Sequence, residues 1–145
     1  MPNCYMLCAC VGSSLDQDSN NMTLFSLVEQ VNVPPNSPPP PNGVIPLEIH
    51  AYWKVGPAEV SQTFLIRFVM VAVHTGLETS SNAFSHRTLT ERFRTRTLGL
   101  PCPPIPGQYE LRVDWRMESA QEWVREATAW PVTLAEAVEQ PRVLN

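Results

Sequence analysis

The chain has 145 residues, of which 43% are hydrophobic and 17% charged, and its formal net charge is -4. That length and composition suit one globular domain that buries a core without disulfides or metal to staple it. The acidic balance argues against a generic nucleic-acid binder, because neutralising phosphates takes clustered Lys and Arg. Lys54 is the only lysine, so the basic chemistry belongs to arginine, the better residue for bidentate contacts.

The opening Met1-Pro2-Asn3-Cys4-Tyr5 has no basic region, and the apolar run after it is too short for a secretory signal. No stretch approaches the ~18 to 20 apolar residues of a membrane span. The expected location is cytoplasmic, with no membrane partner, and the four cysteines are then expected as reduced thiols.

Residues 3–12 form an apolar run closed by Gly12, Ser13 to Asn21 is polar and turn-rich, and Met22 to Val33 is apolar again. Two strands joined as a long hairpin are predicted there. Pro34 to Gly43 holds too many prolines for a ladder and reads as a surface polyproline II connection. Ile45 to Val55 alternates cleanly, with Ile45, Leu47, Ile49, Ala51 and Trp53 on one face and Glu48, His50, Tyr52 and Lys54 on the other. Gln62 to Val73 is the most hydrophobic stretch and predicts a central strand, in which Arg67 must be paired or near a sheet edge.

Thr75 to Asn82 is turn chemistry, and Thr88 to Leu98 alternates again with Arg92, Arg94 and Arg96 on one face. Leu100 to Pro106 is a proline-rich corner. From Gly107 to Met117 the alternation is strict: Tyr109, Leu111, Val113 and Trp115 oppose Glu110, Arg112 and Asp114, the period of a half-buried antiparallel strand with one wet face. Trp123 to Leu134 supplies the last strand, with a bulge expected near Ala127 or Ala129. The domain therefore spans residues 1–134, and 135–145 reads as a C-terminal tail.

The sum is all-β: about seven short antiparallel strands in a single domain, the pattern of an immunoglobulin-like β-sandwich. Gly107 and Tyr109 form its structural corner, a tyrosine at the start of the penultimate strand tied back to upstream backbone. A small closed barrel is the alternative.

Three segments also carry a likeness to known sequences: the apolar N-terminal strand with its polar hairpin, the Leu24–Val31 strand leading into prolines, and the Leu100-Pro101 to Leu111 corner. Together they resemble a family of small uncharacterised bacterial all-β proteins, a domain of unknown function. The likeness covers most of the chain from Cys4 to Leu134. It implies the fold and brings no catalytic residues.

Candidate chemistry is sparse. Cys4, Cys8 and Cys10 share strand parity, and with Cys102 they make the four thiols of a structural zinc site. Ligands along one strand splay, however, so packing of reduced thiols is the preferred reading and no metal is expected. His50, His74 and His86 lie on three segments without a paired motif and read as solvated surface residues. Asp16-x-Asp18-x-Asn20 resembles half a calcium loop but lacks its glycine and glutamate, so it reads as a turn. Neither a nucleophile elbow nor a phosphate loop is present, and no cofactor or catalytic residue is expected.

Arg92, Arg94 and Arg96 line one strand face; protection of a sheet edge against aggregation, which takes no ligand, is the preferred reading, and an anion site helped by Arg87 is the alternative. Trp53 and Trp115 fit a core, while Trp123 and Trp130 in the irregular last strand read as closing its rim, with a partner surface as the alternative. The leading functional expectation is a non-enzymatic binding or scaffold module for a protein partner or a second copy of itself. The alternatives are an anion or nucleic-acid binder acting through the arginine face, and a metal-binding domain using Cys or His.

Overall fold

A computed structural model describes residues 1–33 and 44–136. It contains ten strands: β1 (Asn3–Leu15), β2 (Met22–Leu27), β3 (Gln30–Val33), β4 (Val44–Lys54), β5 (Thr63–Ala72), β6 (Glu78–Ser80), β7 (Phe84–Arg87), β8 (Arg92–Pro101), β9 (Gly107–Met117) and β10 (Val124–Glu136). One 3-10 turn, Pro57–Glu59, links β4 to β5. Among the described residues no helix is long and apolar enough to cross a membrane. The proline-rich segment 34–43 and the tail from 137 onward lie outside the described residues.

The strands form two sheets, β2-β1-β4-β8 and β3-β10-β9-β5-β6, with β7 also paired to β5. The short β3–β10 pair is parallel, and the other pairs are antiparallel. One buried cluster draws on both sheets: Leu7, Ile49, Ala51, Trp53 and Leu100 from the first, and Phe64, Ile66, Phe68, Leu111 and Val113 from the second. These are the apolar positions of the alternating stretches, so period-two patterning decides which face each strand buries.

The structure has more strands than the seven expected. Met22 to Val33 divides at Val28-Glu29, with β2 in the first sheet and β3 in the second. Ser26 bends the chain there through a positive φ of 52°. The peptide N–H of Val28 still bonds Ala9 O (2.8 Å), while Glu29 O already accepts from Thr133 N (2.7 Å) in the other sheet. β6 lies within a stretch read as a turn, and both β6 and β7 are too short to show a period. β8 starts at Arg92 instead of Thr88, because buried Thr88 donates its hydroxyl to Glu59 O (2.7 Å) and does not join the ladder. β10 continues to Glu136, so the first two residues of the expected tail belong to a strand.

Two departures from regular pairing position side chains that matter below. β1 slips register against β4 between Cys4 and Met6. Cys4 therefore packs in the core cluster with Leu7 and Ala9, while Cys8 and Cys10 face the opposite side of the sheet. The expectation of three cysteines on one face fails at that bulge, since one extra residue inverts strand parity. β10 slips against β9 between Arg125 and Ala129, where a bulge was expected. The freed residues reach the other sheet: Glu126 accepts the Cys4 N–H, and Thr128 Oγ1 donates to Cys4 O (2.6 Å).

The outward face of β9 is drier than its sequence suggests. Asp114 is buried, and it accepts Nε of Arg67 (3.0 Å) together with Nε (2.8 Å) and Nη2 (3.1 Å) of Arg125. Arg67 is thus paired, as a charge in an inner strand requires. At the other end of β9, Tyr109 donates its hydroxyl to Ile105 O, closing the proline corner. Gly107 opens the strand at φ 155°, a conformation L side chains rarely adopt.

Candidate functional site

The side chains best placed to bind something from outside gather where β8 borders the first sheet. An open pocket there is lined by Asn20, His86, Arg87, Arg92, Phe93 and Arg94, among others. Three elements bring them together: the β1–β2 turn carries Asn20, the end of β7 carries His86 and Arg87, and the first residues of β8 supply the rest. Alternation along β8 sends Arg92 and Arg94 outward, opposite Lys54 and Tyr52 of β4, while Phe93 turns in over Trp53.

Asn20 sits at φ 59°, the left-handed conformation that asparagine tolerates in a turn. Its backbone N–H bonds Asp16 O (2.7 Å) and its Oδ1 accepts Arg94 Nη2 (2.9 Å). Asp16 in turn accepts the Asp18 N–H (3.0 Å), and hydrogen bonds from Ser19 and Asp18 hold its carboxyl below the usual range. The aspartates read against a calcium loop thus build the turn that delivers Asn20. Arg94 also lies over the Tyr52 ring, 5.9 Å from its centroid.

Among the described residues no carboxylate pairs with Arg87, Arg92 or Arg94. Arg96, the third residue of the expected arginine face, is engaged elsewhere: its Nε donates to Glu48 Oε1 at 2.6 Å. That bond leads the causes that lower the Glu48 carboxyl to about 2, followed by the Ser13 hydroxyl. The pocket therefore keeps Arg87, Arg92 and Arg94 of the expected set and leaves out Arg96.

The remaining candidates separate. His74 is exposed and His86 half-buried, whereas His50 is fully buried, which overturns its reading as a solvated residue. It lies on the predicted outward face of β4, but that face is covered at its centre. Cys102 packs against the core, away from Cys8 and Cys10. Burial raises the thiols of Cys4 to about 12 and of Cys8 to about 11, so both are held protonated, unlike an activated nucleophile. Ser13 donates to Glu48 (2.7 Å) and not to a histidine.

Trp123 is half-buried under two guanidinium groups, Arg67 at 4.4 Å and Arg116 at 5.0 Å from its ring. Trp130 packs against the core and donates Nε1 to Val28 O at 2.8 Å, pinning the crossover between sheets. Trp53 and Trp115 are core residues, as expected.

No protein-family model and no curated protein matches the chain. The reading of its function rests on the residues themselves.

Sequence reasoning missed Asn20, His86 and Phe93 as pocket residues. Their one sequence signal was proximity to Arg87 or to turn chemistry. What gathers them is the approach of the β1–β2 turn to β8 across β4, a non-local pairing that no local pattern encodes.

Proposed function

We propose that this chain is a non-enzymatic binding module that accepts an acidic group of a protein partner in the pocket between Asn20, Arg87, Arg92 and Arg94. The observation that carries this reading is the set of three arginines sharing one pocket with no carboxylate partner among the described residues. Guanidinium groups present forked donors to carboxylate and phosphate, and a cluster left without counter-charge favours an anionic ligand. The overall acidity and the single short cluster favour a compact acidic group over a nucleic-acid strand.

The scaffold for this function is an immunoglobulin-like sandwich. The order β1-β4-β8 against β10-β9-β5, and the Tyr109 corner at the start of the penultimate strand, support that assignment. In such folds, loops at the sheet ends and edges carry the binding residues, as the β1–β2 turn and the β7–β8 connection do here. The resemblance to small bacterial all-β proteins agrees with this scaffold, and a cytoplasmic setting suits a chain with four free thiols.

Titration calorimetry with an acidic peptide, run against a scrambled neutral peptide, tests the proposal. Arg87→Gln with Arg92→Gln and Arg94→Gln should abolish the heat of binding while the melting temperature stays close to that of the parent. Binding that survives the triple change would sink the reading.

A further inference from the structure

Away from the arginine pocket, β1 and β4 hold four metal-ligand side chains on the outer face of the first sheet. Cys8 stands directly across from His50, and Cys10 directly across from Glu48. All four are more than nine-tenths buried. Each strand contributes residues two apart, Cys-x-Cys on β1 and Glu-x-His on β4, so the side chains form a two-by-two grid. One donor atom from each of Cys10, Glu48 and His50 lies within 4.8 Å of the others.

We propose that this grid is a zinc-type metal site, with Cys10, Glu48 and His50 as ligands and Cys8 as the fourth. Thiolate, imidazole and carboxylate are the donors zinc takes, and four protein ligands make a closed structural site. Zinc bonds of about 2.0–2.3 Å put the donors of one ion roughly 3–4 Å apart, within a side-chain adjustment of the spacing of Cys10, Glu48 and His50, while Cys8, across from His50, has to turn toward them.

The hydrogen bonding leaves donor atoms open. Glu48 Oε1 receives Ser13 Oγ (2.7 Å), Arg96 Nε (2.6 Å) and His50 Nε2 (3.0 Å), while Oε2 takes no bond among the described residues. His50 Nδ1 is buried with no partner among the described residues. Buried polar nitrogens are rarely left unpaired. For both side chains to ligate one ion, the contact between His50 Nε2 and Glu48 Oε1 gives way and each turns an open lone pair to the metal.

Charge balance favours the exchange. The metal-free cluster holds two thiols together with the ion pair of the Glu48 carboxylate and the Arg96 guanidinium. A divalent ion entering as two thiol protons leave keeps the cluster neutral overall, with Arg96 still balancing Glu48. The Arg96 side chain beside Glu48 is 59% exposed, so the cluster approaches solvent on that side.

The test uses the full reduced chain, stripped with a chelator, given one equivalent of Zn2+ and desalted before native mass spectrometry. The expected product carries one zinc per chain and has lost two protons, and Cys10→Ser and His50→Asn each reduce zinc retention at least tenfold. Cys4→Ser and Cys102→Ser should retain it. Because the buried variants can fail to fold, Co2+ is added to the unaltered chain as a second measurement. Thiolate-to-cobalt charge-transfer absorption is expected there. A chain that stays metal-free, a cobalt spectrum without thiolate bands, or retention that follows Cys4 or Cys102 would each overturn the assignment.

Discussion

The imidazole of His86 lies flat on the ring of Phe93, with centroids 4.5 Å apart and planes 18° from parallel. Phe93 stacks in turn on Trp53, so one end of the core terminates in a titratable ring beside Arg87, Arg92 and Arg94. Burial lowers the His86 pKa below its ordinary 6.5. The unfolded chain then binds a proton more readily than the folded one, so stability rises with pH across that window. The contribution is complete above about pH 6.5 and is lost as pH falls through the lower folded value. Melting curves from pH 7.5 to pH 5 should show this slope, and His86→Gln should flatten it. An equal slope in the variant would assign the effect to another group.

An anion in the pocket reverses the preference of His86, because a bound negative charge favours imidazolium. Affinity for an acidic peptide should therefore increase as pH falls from 7.5 to 6 and decrease with added salt, which screens exposed charges. Calorimetry in two buffers of different ionisation enthalpy would show proton uptake on binding. Binding without proton uptake would place the ligand away from His86.

Asp114 and Tyr109 test the frame of the second sheet. Asp114 is 1% exposed and takes three hydrogen bonds from Arg67 and Arg125. Asp114→Asn removes the charge that both guanidinium groups share, with an expected loss of about 2–3 kcal/mol after allowing for the partly exposed arginines. Tyr109→Phe removes only the bond to Ile105 O and should cost about 1 kcal/mol. Urea denaturation that ranks the two the other way would refute this account of the charge cluster.

The strands that could be read in the sequence are those whose pattern repeats over several residues. β9 buries the face its alternation predicts, β5 is an inner strand as its hydrophobicity predicts, and even the β10 bulge sits where the period breaks. The bulge in β1 gives no comparable signal: Cys4-Tyr5-Met6 is apolar throughout, so an inserted residue changes no pattern while it inverts the side of Cys8 and Cys10. His50 shows a second limit. Its face was read correctly from parity, but whether a face is wet depends on what covers it, and that information is non-local. The arginine face fails for a third reason, since Arg96 finds Glu48 on the neighbouring strand only once β4 and β8 are in register.

That difference between arginines on a single strand face leads to a double dissociation. Arg96→Gln takes the cation from a carboxylate that is only 5% exposed, leaving Glu48 to Ser13 and His50. The exposed position of Arg96 discounts the loss, so a small drop in the urea midpoint is expected, with affinity for the acidic peptide unchanged. Arg92→Gln, with no carboxylate partner among the described residues, should leave stability within about 0.5 kcal/mol and weaken peptide binding at least fivefold. Urea melts and calorimetry on the two variants separate the roles. If both variants lose affinity alike, the strand acts as one undivided basic surface, and the pocket formed by Asn20, Arg87, Arg92 and Arg94 is not the unit of recognition.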